Sequence, residues 1–354
     1  MKKWIALFLA VIMALSLCAC GKDDSAAPTQ TPTIAPTDPT TGGNHNGGEN
    51  NDNNGGITED GDFSLLTDIL LRNGDGEEAE NAKVELEYDA NYCIVGAKLY
   101  NGGALRSEVV LDKETANILS QTEYEDGTLS NTHTFTYDAN GNELTRVTTN
   151  AAGEVTYSKT STYTAEGWLE TTKDNYSWET YTYDEHGNPL TYRSGSGDEV
   201  WSNTAYENSY ADGRLTEVKV NHDGYPRWSE RYDADGNLVE ECSYDEDGNV
   251  WHRDTFTYEN GKLMLRVIFS NGEESFREEY SYNAAGQLTE KRSFDEGHLH
   301  GRAVYTYENG SLVNVKLYDH EELEGEYIFS YKKANVSAEQ AEKLLALYES
   351  MEFD

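Results

Sequence analysis

Cysteine is scarce in this chain, which has only 4 cysteines among 354 residues. Cys18 and Cys20 fall in the N-terminal segment, so only Cys93 and Cys242 remain beyond it. Many predicted strands separate those two, and a disulfide between them would require the chain to fold back on itself. We therefore expect two partly buried thiols rather than a disulfide framework.

Positive charge is scarce too. Lys and Arg total 27 against 65 Asp and Glu, which gives a formal net charge of −38 at pH 7. Such an acidic field disfavours nucleic acids and anionic membrane surfaces, so no nucleic-acid partner is expected.

Motifs with a known chemistry are missing as well. There is no His-Glu-x-x-His, no Gly-x-Ser-x-Gly and no phosphate-cradling glycine loop. The His298-Leu299-His300 stretch is isolated and is typical of a solvated strand rather than a metal site. No catalytic residue is predicted, and with 65 acids a carboxylate pair has almost no diagnostic value.

Long apolar runs are limited to one, from Trp4 to Leu17, which is too short to be a good membrane span. It follows a basic start and ends at Leu17-Cys18-Ala19-Cys20-Gly21, which resembles the lipobox of bacterial lipoproteins. The resemblance implies that residues 1–19 are a lipoprotein signal peptide and that Cys20 carries a lipid. It predicts an extracytoplasmic, lipid-anchored protein exposed at the bacterial cell surface; the alternative is an ordinary cleaved signal peptide.

Two segments separate the signal from the main array. Residues 20–60 are rich in Thr, Pro, Gly and Asn with almost no large apolar side chain, which predicts a disordered linker. Residues 61–81 contain apolar positions at helical spacing between Phe63 and Leu71, which favours a short N-terminal helix or cap; a first edge strand is the alternative.

A repeated hairpin signal then occupies residues 82–333. In Tyr232-Asp233-Ala234-Asp235-Gly236-Asn237-Leu238, a three-residue loop with a left-handed Gly places Tyr232 opposite Leu238. A two-residue Asn260-Gly261 loop likewise places Tyr258 opposite Leu263. The same aromatic–aliphatic pairing is predicted at Tyr100/Leu105, Tyr124/Leu129, Tyr163/Leu169, Tyr210/Leu215, Tyr244/Val250, Tyr282/Leu288, Phe294/Leu299 and Tyr307/Leu312.

This spacing predicts an all-β fold: an elongated, twisted or curled antiparallel β-meander with one Tyr/Leu face and a short C-terminal capping helix. Tyr137 and Tyr183 stand one residue further from Leu144 and Leu190, which predicts a longer loop or a bulge. Ser337-Ala338-Glu339-Gln340 has a capping-box pattern, so residues 334–354 are predicted to form an amphipathic helix over the exposed last strand or the Tyr/Leu face.

The segment YDANGNELTRVTTNAAGEVTYSKTSTYTAEGWL at 137–169 resembles the YD repeats of the RHS family, and the likeness covers most of the chain after residue 88. The Asn-Gly turns also resemble MORN-type hairpin repeats, the second choice of family. The YD resemblance implies a β-hairpin spiral on a cell-surface or secreted protein, with glycan binding in some members. The chain has too few units for a toxin shell.

Acidic turns offer one set of candidate ligands. Asp233, Asp235, Asp245 and Asp247 place oxygens at alternating positions, as the first half of an EF-hand loop does, but the later bidentate Glu is missing. Type I turns with a glycine bulge select the same residues, so turn geometry accounts for all four. No cofactor is predicted, and calcium is retained only as a weak alternative.

Tryptophan gives the sharpest functional hint. Counting by twos, Trp228 shares the face of Tyr232, whereas Trp168, Trp178, Trp201 and Trp251 fall on the face opposite their nearest repeat tyrosines. An exposed aromatic strip beside carboxylates would suit a sugar ring. The alternative is that both faces are buried or that bulges break the count.

We therefore predict a lipid-anchored surface protein whose hairpin array is a binding or structural module, for a glycan or another surface protein. The alternatives are an enzyme that acts on surface polysaccharide with a carboxylate pair, and a purely structural spacer.

Overall fold

The structure is a computed structural model that describes residues 61–74, 82–337, 340, 341 and 344. The predicted signal peptide 1–19, the lipidated Cys20 and the linker 20–60 lie outside these residues. The elements described are all β-strands: β1 Gly61–Asn73, β2 Ala82–Tyr88, β3 Ile94–Asn101, β4 Ala104–Leu111, β5 Ile118–Glu125, β6 Thr128–Tyr137, β7 Glu143–Asn150, β8 Val155–Tyr163, β9 Leu169–Asp174, β10 Trp178–Tyr183, β11 Pro189–Ser196, β12 Glu199–Ala211, β13 Arg214–His222, β14 Tyr225–Tyr232, β15 Leu238–Tyr244, β16 Val250–Glu259, β17 Lys262–Ser270, β18 Glu273–Tyr282, β19 Leu288–Asp295, β20 His298–Glu308, β21 Ser311–Asp319 and β22 Glu322–Val336.

The chain divides into two compact units. Unit 1 holds the described residues up to Lys159 and from Ala303 onward, and unit 2 spans Thr160–Arg302. Within unit 2, each strand from β9 to β19 pairs antiparallel with the next. The predicted antiparallel meander is confirmed. Among the described residues, no helix has the length and apolar character needed to cross a bilayer.

The predicted hairpin registers are observed for both loop lengths. Tyr232 lies opposite Leu238, and the Asp233 amide donates to the Asn237 carbonyl at 2.9 Å. Pairing across the two-residue turns and the remaining loops is confirmed at Tyr258/Leu263, Tyr100/Leu105, Tyr124/Leu129, Tyr210/Leu215, Tyr244/Val250 and Tyr282/Leu288.

Tyr137 and Tyr183 head turns of the standard size rather than longer loops. Tyr137 lies opposite Glu143, and the Asp138 amide donates to the Asn142 carbonyl, as at the other turns. The register shift at Thr136/Tyr137 also occurs at Arg231/Tyr232, so this bulge is common to these hairpins rather than particular to Tyr137. Glu143 takes the position opposite the tyrosine, and Leu144 follows it in the bulge.

The side chain that opens each of these loops explains their uniformity. Asp233 Oδ1 accepts hydrogen bonds from the backbone amides of Asp235 and Asn237, both at 2.9 Å. The same pair of bonds is made by Asp89, Asp138, Asn150, Asp184, Asp245 and Asn283. A carboxylate or amide oxygen at the first loop position thus satisfies two backbone donors that the turn leaves unpaired.

The predicted N-terminal helix is wrong: Gly61–Asn73 is strand β1, and it is not an edge strand either. Ile69 lies opposite Val84 of β2 on one side and Phe329 of β22 on the other. A register shift between Leu66 and Asp68, at Thr67, breaks the strand alternation and so imitates helical spacing.

The apolar core of unit 1 collects around β1. Leu65 and Ile69 are fully buried, together with Val84 of β2 and Val315 of β21. Because β1 pairs with a strand on each side, its backbone amides and carbonyls are hydrogen-bonded, and its apolar side chains are buried in the same core. The first described strand therefore anchors the last, β22, which pairs with β21 on its other side.

The predicted C-terminal helix over 334–354 is not among the described elements, and residues 334–336 belong to β22. The capping-box contacts do form: the Gln340 amide donates to Ser337 Oγ at 3.2 Å and the Ala341 amide to the Ser337 carbonyl at 2.9 Å. Ala341 and Leu344 are buried in the unit 1 core. Because β1 pairs with β22, the exposed last strand that the helix was predicted to cover does not exist.

Candidate functional site

Strand register divides the side chains of unit 2 between two faces. Glu230, Glu241 and Asp254 lie opposite one another on β14, β15 and β16, on the same face as Tyr232; we call this the tyrosine face. Cys242, Arg253 and Phe269 lie opposite one another on the other side, together with Trp251; we call this the tryptophan face.

The repeat tyrosines do not all lie on one face, and Tyr244 shows this in unit 2. Tyr244 follows Cys242 by two residues and so lies on the tryptophan face, where its hydroxyl is 2.8 Å from Ser229 Oγ. The expectation of a single Tyr/Leu face is therefore wrong. Successive hairpin turns lie at opposite ends of the strands. The aromatic residue before a turn lies on one face at one end and on the opposite face at the other end.

The repeat tyrosines have a structural role that the sequence pattern did not indicate. The Tyr183 hydroxyl donates at 2.7 Å to the carbonyl of Leu169, at the start of the preceding strand, β9. Equivalent bonds join Tyr88 to Leu66, Tyr137 to Ile118, Tyr282 to Leu263 and Tyr331 to Leu312. Each ties a turn to the backbone of an earlier strand, and a hydroxyl is needed for it, which distinguishes Tyr from Phe.

Shielded charges on the tyrosine face form a network. The Asp254 side chain is only 4% exposed, and its Oδ2 accepts a bond from Arg266 Nε at 2.9 Å. His252 Nε2 lies 2.8 Å from Asp254 Oδ1. Arg266 also contacts Glu278 at 3.4 Å, and Lys291 contacts Glu278 at 3.1 Å. Buried carboxylates are thus compensated here by cations.

Two neighbouring carboxyls lack that compensation. Burial raises the pKa of Glu230, and a hydrogen bond from Tyr232 offsets this only in part. The pKa of Glu241 is raised by burial and then by the negative charges of Glu230 and Asp254. The turn aspartates behave in the opposite way: burial alone would raise the pKa of Asp233, but hydrogen bonds from Asn237 and the turn amides lower it below its usual value.

These opposed shifts predict a stability maximum at mildly acidic pH. Glu230 and Glu241, with raised folded-state pKa values, contribute stability that is lost as the pH rises through those values; Asp233, with a lowered pKa, contributes stability that is lost as the pH falls below about 4. Urea unfolding should therefore show stability rising from pH 7 toward about pH 5 and falling below about 4. Glu230→Gln should stabilise the protein at pH 7, whereas the exposed turn variant Glu246→Gln should not.

Trp168 and Trp178 support neighbouring turns. Trp168 lies in a turn, not in a strand, so the count by twos does not apply to it. Its ring centroid is 5.4 Å from that of Tyr183, and a Cβ added to Gly187 would lie 2.9 Å from its indole. Trp178 donates from Nε1 to the Gly197 carbonyl at 3.0 Å. Both indoles therefore pack against glycine-containing backbone.

Trp201 and Trp251 are presented to solvent. They are 53% and 48% exposed, and each is the extra residue at a register shift in its strand. A bulge re-aims a side chain and often stands beside a functional site. Trp228, by contrast, lies on the tyrosine face as counted, with its ring at 6.3 Å from Tyr206 in an edge-on arrangement.

A shallow depression of about 370 Å³ surrounds Trp251, and we call it the Trp251 depression. Its walls include Glu240, Cys242, Tyr244, Trp251, Arg253 and Phe269. Burial raises the pKa of the Cys242 thiol to about 11, so the thiol is neutral at pH 7 and is a small apolar surface. Cys93 and Cys242 both remain thiols, as predicted.

Arginines stacked on phenylalanines extend the tryptophan face, and sequence reasoning missed them. The Arg253 guanidinium carbon lies 4.5 Å from the Phe269 ring centroid, and that of Arg277 lies 4.3 Å from the Phe294 centroid. The two-residue turn at Asn260-Gly261, together with the shift at Tyr258, places Arg253 opposite Phe269. Loop length alone would have placed Arg253 opposite Ile268, so this cation–π pair could be found only with the register shift at Tyr258.

Turn geometry accounts for two of the four candidate calcium ligands. Asp233 Oδ2 accepts a bond from Asn237 Nδ2 at 2.9 Å, and Asp245 Oδ1 accepts the amides of Asp247 and Asn249 at 3.0 and 2.8 Å. Asp235 and Asp247 are exposed. The oxygens of the two leading aspartates already accept hydrogen bonds within their own turns, and calcium binding stays a hypothesis.

No protein-family model matches this sequence, and no curated protein matches it. The solved structures that this chain matches include TcdB2-TccC3 without its hypervariable C-terminal region, at 16% identity and a TM-score of 0.35, covering 68% of this chain and 15% of that one. The Tc holotoxin pore of Photorhabdus luminescens gives 13% identity and a TM-score of 0.28, covering 75% of this chain and 19% of that one. A porin-like protein from Bacteroides uniformis gives 14% identity and a TM-score of 0.28, and the match covers 75% of this chain and 98% of that one. The chain thus spans under a fifth of the length of either toxin chain.

Proposed function

We propose that the protein is a surface-anchored binding module that holds a saccharide in the Trp251 depression. The observation that carries this proposal is the half-exposed Trp251 indole, set at a bulge between Tyr244 and Arg253. A flat aromatic ring on a rigid strand offers an apolar platform to the face of a sugar ring, and the polar groups beside it can bond to hydroxyls. Trp201 provides a second exposed indole on the same face.

The other two tryptophans of the predicted strip have a structural role. Trp168 and Trp178 pack against the backbone of their own neighbouring turns and do not line the depression. The Asx-headed turns and the tyrosine hydroxyl bonds make a stiff scaffold from short-range contacts. Binding sites built on rigid strands need little reorganisation when a ligand arrives, which favours affinity from a shallow site.

Anchoring is the second part of the proposal. The lipobox-like segment ending at Cys20 and the linker 20–60 suit a YD-repeat-like module held away from a bacterial membrane by a lipid. Expression in a bacterium fed an alkyne fatty acid should label the wild-type chain, and Cys20→Ala should abolish the label. An unlabelled wild-type chain released into the medium would contradict anchoring.

A glycan array tests the binding. The chain from residue 21 onward should bind a restricted set of saccharides without cleaving them, and Trp251→Ala should lower the affinity by about 10-fold or more, in line with the loss of a central aromatic contact. Tyr225→Ala, which removes an aromatic that is 60% exposed but lies outside the depression, is the matched control and should bind normally.

The other outcomes choose between the alternatives. Turnover of a bound saccharide would favour an enzyme, and silence across the array would favour a structural spacer. Equal losses in Trp251→Ala and Tyr225→Ala would place the site elsewhere on the surface. Circular dichroism of each variant shows whether the fold is retained.

A further inference from the structure

Arg253 points to the chemical class of the ligand, an inference that rests on the proposed function. We propose that the Trp251 depression takes a saccharide bearing a carboxylate, with Arg253 pairing to that carboxylate while Trp251 stacks on the ring. Arg253 lines the depression with its guanidinium carbon 4.5 Å from the Phe269 centroid. The stacked ring fixes the plane of the guanidinium, so its donors are oriented before a ligand binds.

Arg253 differs from three other arginines of the tryptophan face, Arg231, Arg277 and Arg292. Arg231 is paired with Glu240 at 2.8 Å, and Arg292 with Glu279 at 2.8 Å. Arg277, which is also stacked on a phenylalanine, contacts Glu279 at 3.1 Å and Glu274 at 3.3 Å. In the part of the chain that the structure describes, Arg253 forms neither a hydrogen bond nor an ion pair.

The surroundings leave its charge uncancelled. Glu240, the acid on the wall, is already paired with Arg231. The Cys242 thiol, with its pKa raised to about 11 by burial, adds no negative charge at neutral pH. A carboxylate can accept two parallel bonds from a guanidinium fork, the pairing that arginine makes best.

The rim allows a ring to enter. Gly272 lines the depression, and a Cβ added there would meet no atom within 4 Å. The strongly acidic chain also repels ligands that carry many negative charges, because long-range electrostatic repulsion grows with the charge of the ligand. A uronic acid, with a single carboxylate per ring, fits this site better than a heavily sulfated sugar.

Calorimetric titration with trigalacturonate and with its fully methyl-esterified form tests the inference. The acid should bind wild-type protein about 10-fold or more tightly than the ester, as expected for loss of a charge-assisted pair. Arg253→Gln should abolish that preference, and Arg253→Lys should restore it in part because a point charge remains. Arg277→Gln is the matched control, since that arginine is also stacked on a phenylalanine, and it should keep the preference.

Failure of the inference and failure of the proposed function give different results. If acid and ester bind equally and Trp251→Ala weakens both, the saccharide site stands and the carboxylate assignment is overturned. If Arg277→Gln removes the preference as Arg253→Gln does, the assignment is also overturned, because general charge rather than Arg253 then governs binding. If neither trisaccharide binds while array glycans without carboxylates do, the ligand class is wrong; if nothing binds in either assay, the proposed function falls with it.

Discussion

Replacing Ile69 with Asp is expected to unfold unit 1. Ile69 is fully buried in β1 between Val84 and Phe329, so the substitution would bury an unpaired carboxylate where two neighbouring strands meet. Even Ile69→Ala should cost about 2–5 kcal/mol through lost burial and the cavity left behind. That is a large part of the roughly 5–15 kcal/mol that stabilises a typical domain.

Chemical unfolding followed by circular dichroism measures both changes. Ile69→Asp should lose the cooperative transition of unit 1 and aggregate, because β2 and β22 would each expose a strand edge. Val155→Asp, at a position 62% exposed in the same unit, is the control and should shift stability by less than about 0.5 kcal/mol. A stable, soluble Ile69→Asp protein would mean that β1 is dispensable, contrary to its central position in the core.

The second large effect is expected at Gly187. Gly187 and Gly236 occupy the same position in equivalent turns, with φ of 86° and 89°. Alanine is strained at either, which costs about 1–2 kcal/mol. At Gly187 the new Cβ would also lie 2.9 Å from the Trp168 indole, whereas at Gly236 it meets nothing within 4 Å. Gly187→Ala should therefore cost about 1–3 kcal/mol more than Gly236→Ala because of overpacking.

A double-mutant cycle isolates the tryptophan contribution. Combining Gly187→Ala with Trp168→Ala removes the overlap, so the extra cost should disappear and the two changes should be strongly non-additive. Urea unfolding of the four proteins provides the coupling energy. Equal costs at Gly187 and Gly236, or simple additivity, would show that Trp168 does not support the turn.

Local signals predicted the hairpins well because their causes are local. Asp233, Gly236 and the pair Tyr232/Leu238 lie within one loop, and the turn geometry that they require is determined by a few neighbouring residues. The same holds for Asn260-Gly261. Side-chain alternation then carried the register along each strand, which is why Trp228 was placed on the correct face.

The errors arose where a bulge or a distant partner decides the structure. The register shift at Thr67 gave β1 an apolar spacing that imitates a helix, and its partner Phe329 lies at the far end of the sequence. The loop lengths indicated which residues lie opposite each other, but they did not indicate at which end of the strands each turn lies. Tyr244 was therefore assigned to the wrong face. Of the predicted aromatic strip, Trp201 and Trp251 are exposed, while Trp168 and Trp178 are committed to turns.

The most direct measurement is fluorine NMR of protein labelled with fluorotryptophan and titrated with trigalacturonate. The Trp251 resonance should shift on titration while that of Trp228 stays in place, and the solvent isotope effect should be largest at Trp201 and Trp251, the two half-exposed indoles. A shielded Trp251, or a ligand-induced shift at Trp228 with none at Trp251, would contradict this expectation.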